Sequence, residues 1–288
     1  MNTAPDQPLP AAPTPAVHLY HIAYSAQTLA DLEPGYLLLD NLANERPDWF
    51  EYWPIRRFLL QALEDGRLDE QAWYGFFSPK FRAKTGLSHS QVCDFVHRHA
   101  VQADVCLFSP QPDMGAFFLN VFEQGEAFDP GLIDAAQRFL AHAGWPCALG
   151  TLVMDSRQTV FSNYFVARPA FWREWLGLCE QLFSVCEGPD TPLRAALVQA
   201  TTYPGQAQRK VFLLERLASL LLTLRPQWRT GAADPFGFAW SVSRLRERPE
   251  DAFISDALKL AFREQRFPEY MRAFALIRER FFDASPKT

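Results

Sequence analysis

The sequence predicts an α/β layer structure: a mixed, mainly parallel sheet flanked by helices, with a helical C-terminal portion. Three observations predict it. Strand-like and helix-like segments alternate through the first two thirds of the 288 residues. The remainder is helical in pattern, and one aromatic, apolar stretch, Trp73–Phe77, reads as a buried strand. Alternation of this kind builds a sheet covered by helices.

Taken in order, His18–Tyr24 (HLYHIAY) is the first strand, bounded by Ser25. Trp53–Leu63 places Ile55, Phe58, Leu59 and Leu63 on one helical stripe. Trp73–Phe77 is the next strand, and Ser88 stands as the N-cap of a helix with Val92, Phe95 and Val96 on one face. Ala103–Asp113 reads as a short apolar strand closed by two prolines and an acid. Pro130–Trp145 opens on proline and ends near Gly144, the usual helix asymmetry. Thr159–Ala167 is β-branched and aromatic, hence a strand, and it feeds an amphipathic helix with Pro169 near its start. Val211–Leu224, Asp256–Arg263 and Pro268–Phe282 are the last helical segments. With no internal repeat and no strong linker, the expected division is a disordered Pro/Ala-rich tail over 1–17, a domain over 18–230, and a helical extension over 231–288 packed on it.

Composition limits the function classes. The chain is 48% hydrophobic and 14% aromatic, enough for a sizeable core. A net charge of −5 gives no general attraction to nucleic acid, so any anion site must be local. Five scattered cysteines form no zinc-ligand spacing and read as reduced thiols in a cytoplasmic protein; Cys179 and Cys186, seven apart, share a helix face and pack. The longest apolar run, Val211–Leu224, is too short to span a bilayer and contains Glu215 and Arg216. Signatures for a phosphate-binding loop, a dinucleotide fold, a zinc protease or a serine hydrolase are absent from the sequence.

Other residues could carry chemistry. Ligands of parallel sheets bind beyond the carboxyl ends of strands. Ser78, Lys80, Arg82 and Lys84 follow Trp73–Phe77 directly, so this cationic segment occupies such a position. Asn41–Arg57 mixes Asn44, Glu45, Arg46, Asp48 and Glu51 with Trp49, Tyr52 and Trp53, a combination suited to a sugar or a nucleobase. Phe117–Phe128 sets Asn120, Glu123, Gln124 and Glu126 among aromatics. Glu215 and Arg216 lie in the most hydrophobic helix, where burial requires a partner or a task; a structural ion pair is the simpler expectation.

In this order, the segments resemble glycosyltransferase-like domains of the GT-A type encoded among bacterial capsule and O-antigen genes. The matching stretches are the Asn-rich segment running into an aromatic helix, WYGFFSPKFRAK, DVCLFSP (Asp104–Pro110), NYFVARPAFWREWLGLCEQLF from Asn163, and ERLASLLL from Glu215. They cover about Tyr20–Leu224, each short, the Asn163–Phe183 element being the best.

The resemblance implies transfer of a sugar from a nucleotide-sugar donor to an acceptor hydroxyl, on a glycan or lipid-linked acceptor. It implies donor contacts from Tyr24, Ser25, Asn44, Arg46, Asp48, Ser78, Lys80, Lys84, Asp113 and Asn163. Many such enzymes hold Mn²⁺ or Mg²⁺ with an Asp-x-Asp pair, which this sequence lacks. Lys80, with Lys84 second to it, would then meet the diphosphate; the alternative is a metal on Asp113 with Glu123 or Glu126. An inverting mechanism needs a carboxylate base, for which Glu123, Glu126 and Asp155 all stand, whereas a retaining one needs none in that role. The contrasting expectation is a non-catalytic relative that binds a glycan or a partner, with DPFGFAW (Asp234–Trp240) as its docking element. Basic C-terminal helices carrying Arg263, Arg266, Arg272, Arg278 and Arg280 leave peripheral contact with the inner membrane open, but interspersed acids favour packing on the domain.

Overall fold

The computed structural model describes residues 14–145, 147–203 and 207–282, with the side chains of 281 and 282 excluded. Most of the expected tail, residues 1–13, lies outside the described residues. Its last residue, Val17, already belongs to the sheet. Strand β1 spans Val17–Ala23, and the Ala16 carbonyl accepts from the Trp73 N–H at 2.8 Å.

A single-turn helix, α1 (Ala26–Ala30), follows, then β2 (Leu37–Asp40), α2 (Tyr52–Glu64), β3 (Trp73–Phe77), α3 (Phe81–Thr85), α4 (His89–His99) and β4 (Val105–Leu107). Next come α5 (Pro112–Ala116), α6 (Val121–Phe128), α7 (Leu132–His142), β5 (Phe165–Ala167), α8 (Pro169–Glu187), α9 (Pro192–Leu197) and α10 (Arg209–Leu224). The chain closes with β6 (Thr230–Ala232), α11 (Pro249–Gln265) and α12 (Pro268–Phe282). Capping chemistry sets several starts: the Ser88 hydroxyl accepts from the Gln91 N–H and the Gln91 side chain accepts from the Ser88 N–H, a reciprocal box.

The strands form one six-stranded sheet in the order β2-β1-β3-β5-β4-β6. β1 pairs in parallel with β2 and β3, and β4 with β6, while β5 runs antiparallel between β3 and β4. The result is a mixed α/β fold with a central sheet flanked by helices and a helical C-terminal region.

β3 is buried at all five positions because both sheet faces are covered. Phe76 faces the larger core with Trp172, Trp175, Phe165 and the α10 leucines. Trp73 and Phe77 face the other, with Val92 and Val96 of α4 and Phe108. Gly75 sits where no side chain fits: a Cβ there would lie 2.8 Å from Val166 and 3.1 Å from Leu19.

Four expectations need correction. The Thr159–Ala167 strand shrinks to Phe165–Ala167, because side-chain hydroxyls capture the earlier backbone. The Val160 N–H donates to Ser219 and the Phe161 N–H to Ser109, after which Ser162 and Asn163 turn at φ 60° and 53°. The Ala103–Asp113 strand likewise ends at Leu107, and Pro112 opens α5. The helix expected at Asp256–Arg263 extends in both directions to Pro249–Gln265. Finally, β6 crosses the expected 230/231 boundary, so the C-terminal portion contributes to the sheet itself.

Candidate functional site at the carboxyl edge of the sheet

Because β5 runs against its neighbours, its N-terminal approach meets the carboxyl ends of β3 and β4. The Phe108 N–H donates to the Tyr164 carbonyl at 2.9 Å, and the Ser78 and Tyr164 hydroxyls share a 2.7 Å hydrogen bond. α3 starts three residues after Ser78 and brings Lys84 to this point. The Lys84 ammonium donates to the Ser162 hydroxyl at 2.8 Å and lies 5.6 Å from the Tyr164 ring centroid. From the helical layer, Ser219 of α10 holds Val160, and Glu215 occupies the same helix face one turn earlier. Glu51, immediately before α2, completes the group: Glu215, Lys84 and Glu51 interact electrostatically.

This setting shifts Glu215, Lys84 and Tyr164 toward their neutral forms. Burial raises the Glu215 pKa, and the like charge of Glu51 acts in the same direction against Arg216 and Lys84. Burial lowers the Lys84 pKa, as does Lys80, against the attraction of Glu215 and Glu51. The Tyr164 phenol is pushed up by burial and by both carboxylates. Glu215 keeps some solvent contact, yet no hydrogen bond or ion pair reaches its carboxyl among the described residues. The expected ion pair with Arg216 is absent. Arg216 donates instead to the carbonyls of Val121 and Phe212 and to Gln124, and burial lowers its pKa to about 10. Neighbouring helix positions point about 100° apart, which separates the two side chains.

Two buried amides at this edge also keep a free acceptor. Asn163 is 6% exposed and Asn41 is 4% exposed, and the Oδ1 of each lacks a hydrogen-bond partner. Asn44, Phe50, Ser162 and Asn163 all have positive φ, which places backbone strain in the turns ahead of α2 and β5.

Many expected contacts are engaged elsewhere. Arg46 chelates Asp48 and reaches Glu187; Lys210 donates to Asp48 at 2.6 Å, and the Trp49 indole donates to Glu187. This network ties the turn before α2 to α8 and α10. Ser25 caps α1, with its hydroxyl accepting from the Thr28 N–H, and Tyr24 is exposed beside it. Asn44 accepts from the Asn41 amide at 3.4 Å. Lys80 is exposed at the α3 N-terminus, so Lys84 is the lysine that packs against Ser162 and Tyr164.

Of the expected bases, Glu123 accepts from the Leu119 N–H and from Arg278. Glu126 holds the first turn of α7 through the Gly131 and Ile133 N–H groups. Asp155, fully buried, pairs with Arg157 and Arg263. Asp113, also fully buried, accepts from the Ser241 N–H and from the hydroxyls of Ser241 and Ser243. Its oxygens fasten the 241–243 segment to α5 and do not fit a resident metal. Among the described residues no three His, Cys, Asp or Glu side chains are grouped to hold one.

The docking element contributes to packing: Phe236 and Trp240 contact Phe253 of α11. The C-terminal arginines pair with acids, Arg263 with Asp155, Arg278 with Glu123 and Arg280 with Asp251. Among the described residues no helix is long and apolar enough to cross a membrane. An open groove of about 700 Å³ lies between α4 and residues 233–238, floored by Phe95, Phe108 and Phe238. Along its charged wall Arg98 donates to the Asp94 carbonyl and Asp234 caps the turn at Phe236.

Sequence patterns single out Lys84, Asn163 and Glu215 and set Asn41 and Glu51 within one polar, aromatic stretch, but they miss Ser162 and Tyr164. Glu51 carried a signal, as a charge between Phe50 and Tyr52 at a helix start. Comparisons with protein-family models, curated proteins and solved structures find no match to this chain.

Proposed function

We propose that this carboxyl edge of the sheet binds a nucleotide-sugar and that the protein transfers its sugar to an acceptor hydroxyl. The observation that carries the proposal is the meeting of Lys84, Glu215 and Glu51 at the carboxyl edge, with a lysine and a carboxyl both perturbed and neither joined to the other in an ion pair. A half-buried lysine that contacts a hydroxyl and a ring but no carboxylate among the described residues is prepared for an incoming anion. The diphosphate of the donor supplies one, and the charge on Lys84 stabilises the developing phosphate oxygen as the glycosidic bond breaks. The free Asn163 oxygen adds an acceptor for a hydroxyl or an N–H of the ligand. A mainly parallel sheet with its polar residues at the carboxyl ends supports the GT-A-type reading.

The test is a thermal-shift series with UDP, GDP, CMP and dTDP, each with and without Mn²⁺, on wild type, Lys84→Ala and Lys80→Ala. A ligand that binds only the folded state raises the midpoint by mass action. One nucleotide is expected to shift the wild type and Lys80→Ala but not Lys84→Ala. No shift with any of the four would sink the transfer reading and favour a non-catalytic glycan- or partner-binding protein.

A further inference from the structure

We propose that the open groove between α4 and residues 233–238 is the docking site of this chain's own N-terminal segment, with Pro8–Pro13 laid along α4. The inference is independent of the sugar-transfer reading and concerns a surface that reading does not use. The described chain enters at one end of this groove. His97, part of the groove lining, donates from Nε2 to the Pro15 carbonyl at 3.1 Å, just ahead of β1. In the sequence, PLPAAP (Pro8–Pro13) leads directly into this anchored stretch.

Groove and segment match in length. Leu87, Gln91, Asp94, Phe95 and Arg98 recur at the three- and four-residue spacing of one helix face, so the groove follows α4, with His97 at its far end. A helix of 11 residues rises about 16 Å. Proline-rich chain in its left-handed form, three residues per turn, advances about 3.1 Å per residue, so about five or six residues cover that length.

They also match in chemistry. Pro10 and Pro13, three apart, share one face of such a helix, and Leu9, Ala12 and Pro15 share another. Proline-rich segments dock on aromatic-lined grooves, and Phe95, Phe108 and Phe238 supply the floor. This helix makes no internal hydrogen bonds, so every carbonyl is a free acceptor. Donors stand along the wall. Arg98 Nε is held by the Asp94 carbonyl and Gln91 Oε1 by the Ser88 N–H, but the terminal nitrogens of Arg98 and Nε2 of Gln91 take no acceptor among the described residues. The bond from His97 to the Pro15 carbonyl is the first contact of this kind.

Joined to the domain at Thr14, the segment acts at an effective concentration on the order of 1 mM, so a Kd of about 0.1 mM fills the groove in roughly nine of ten molecules. The test uses the full chain, a variant lacking residues 1–13, and a fluorescein-labelled peptide of residues 1–13 added in trans. By anisotropy the peptide should bind the truncated chain with a Kd of about 0.1 mM and the full chain about tenfold more weakly, because the tethered copy competes. Amide hydrogen exchange in α4 and residues 233–238 should quicken about tenfold on truncation and slow again with added peptide. Arg98→Ala in the truncated chain should weaken binding about threefold to tenfold, the scale of a lost hydrogen bond. Leu9→Asp in the peptide should weaken it about tenfold or more. No binding to the truncated chain, equal binding of a scrambled peptide, or identical exchange in the two chains overturns the proposal. Equal self-association of full and truncated chains by sedimentation, with exchange protection of α4 following it, overturns it in favour of a second copy in the groove. Failure of the sugar-transfer reading leaves all of these readouts unchanged.

Discussion

Lys259 offers the most direct test of how the C-terminal helices are held. It is 0% exposed, and its ammonium donates to the Gly115 carbonyl at 2.6 Å and the Phe118 carbonyl at 3.0 Å. Burial lowers its pKa from 10.5 to about 8, against the attraction of Asp256, Asp155 and Glu123, with Arg278 acting in the same direction as burial. In the unfolded chain the amine stays protonated up to about 10.4. Between these values the unfolded state binds more protons than the folded one, so stability rises with pH across this window, and the gain is lost as pH falls through about 8. At about 1.36 kcal/mol per pH unit, the interval amounts to roughly 3 kcal/mol.

Lys259→Met removes this titration while preserving side-chain length. Urea unfolding of wild type and variant at pH 7 and pH 10.5 isolates the effect, since buried tyrosines and cysteines contribute equally to both proteins. The stability of wild type relative to Lys259→Met should rise by about 3 kcal/mol over that range. A relative stability independent of pH would refute the reasoning that Lys259 is held against its own charge.

Other perturbations follow from single contacts. Glu215→Gln should raise the unfolding midpoint at pH 7, because the acid's raised pKa makes its stabilising contribution full only below the unfolded value and lost as pH rises through the folded one; the gain should vanish near pH 4, by calorimetry. Gly125→Ala should destabilise by about 1–3 kcal/mol in denaturant unfolding, since the added Cβ would lie 2.2 Å from Leu132 and 2.7 Å from the Arg216 guanidinium. Asp113→Ala should cost about 2–4 kcal/mol by stranding the buried Ser241 N–H and the Ser241 and Ser243 hydroxyls, and should expose the 241–243 segment to proteolysis; unchanged protection would contradict its assigned fastening role.

Much of the layer structure is legible in the linear pattern. Trp73–Phe77 appears at its full length because a strand covered on both faces must be apolar throughout, and Ser88 is readable because a capping box is a local hydrogen-bonding arrangement. β2 and β6 escape notice: each has one partner strand and only four or three residues, too few for a period to show. The same limit governs the site. Lys84 and Glu215 stand out as polar residues in unusual company, yet nothing local distinguishes Lys84 from exposed Lys80, four residues away on the same short segment. One turn of α3 separates them, and the packing of that turn under Tyr164 decides which amine reaches Ser162.

Asp113, Asp155, Glu123 and Arg46 show the converse. Charge among apolar neighbours marks each as needing a partner, but the partners lie as far as 155 residues away in Arg278, 141 in Glu187 and 128 in Ser241. Local propensity and hydrophobic period operate over a few residues, so they define the layers and the apolar faces. Which charges are neutralised is set by long-range contacts, and only the folded chain brings Lys84 of α3 to Ser162 and Tyr164 ahead of β5.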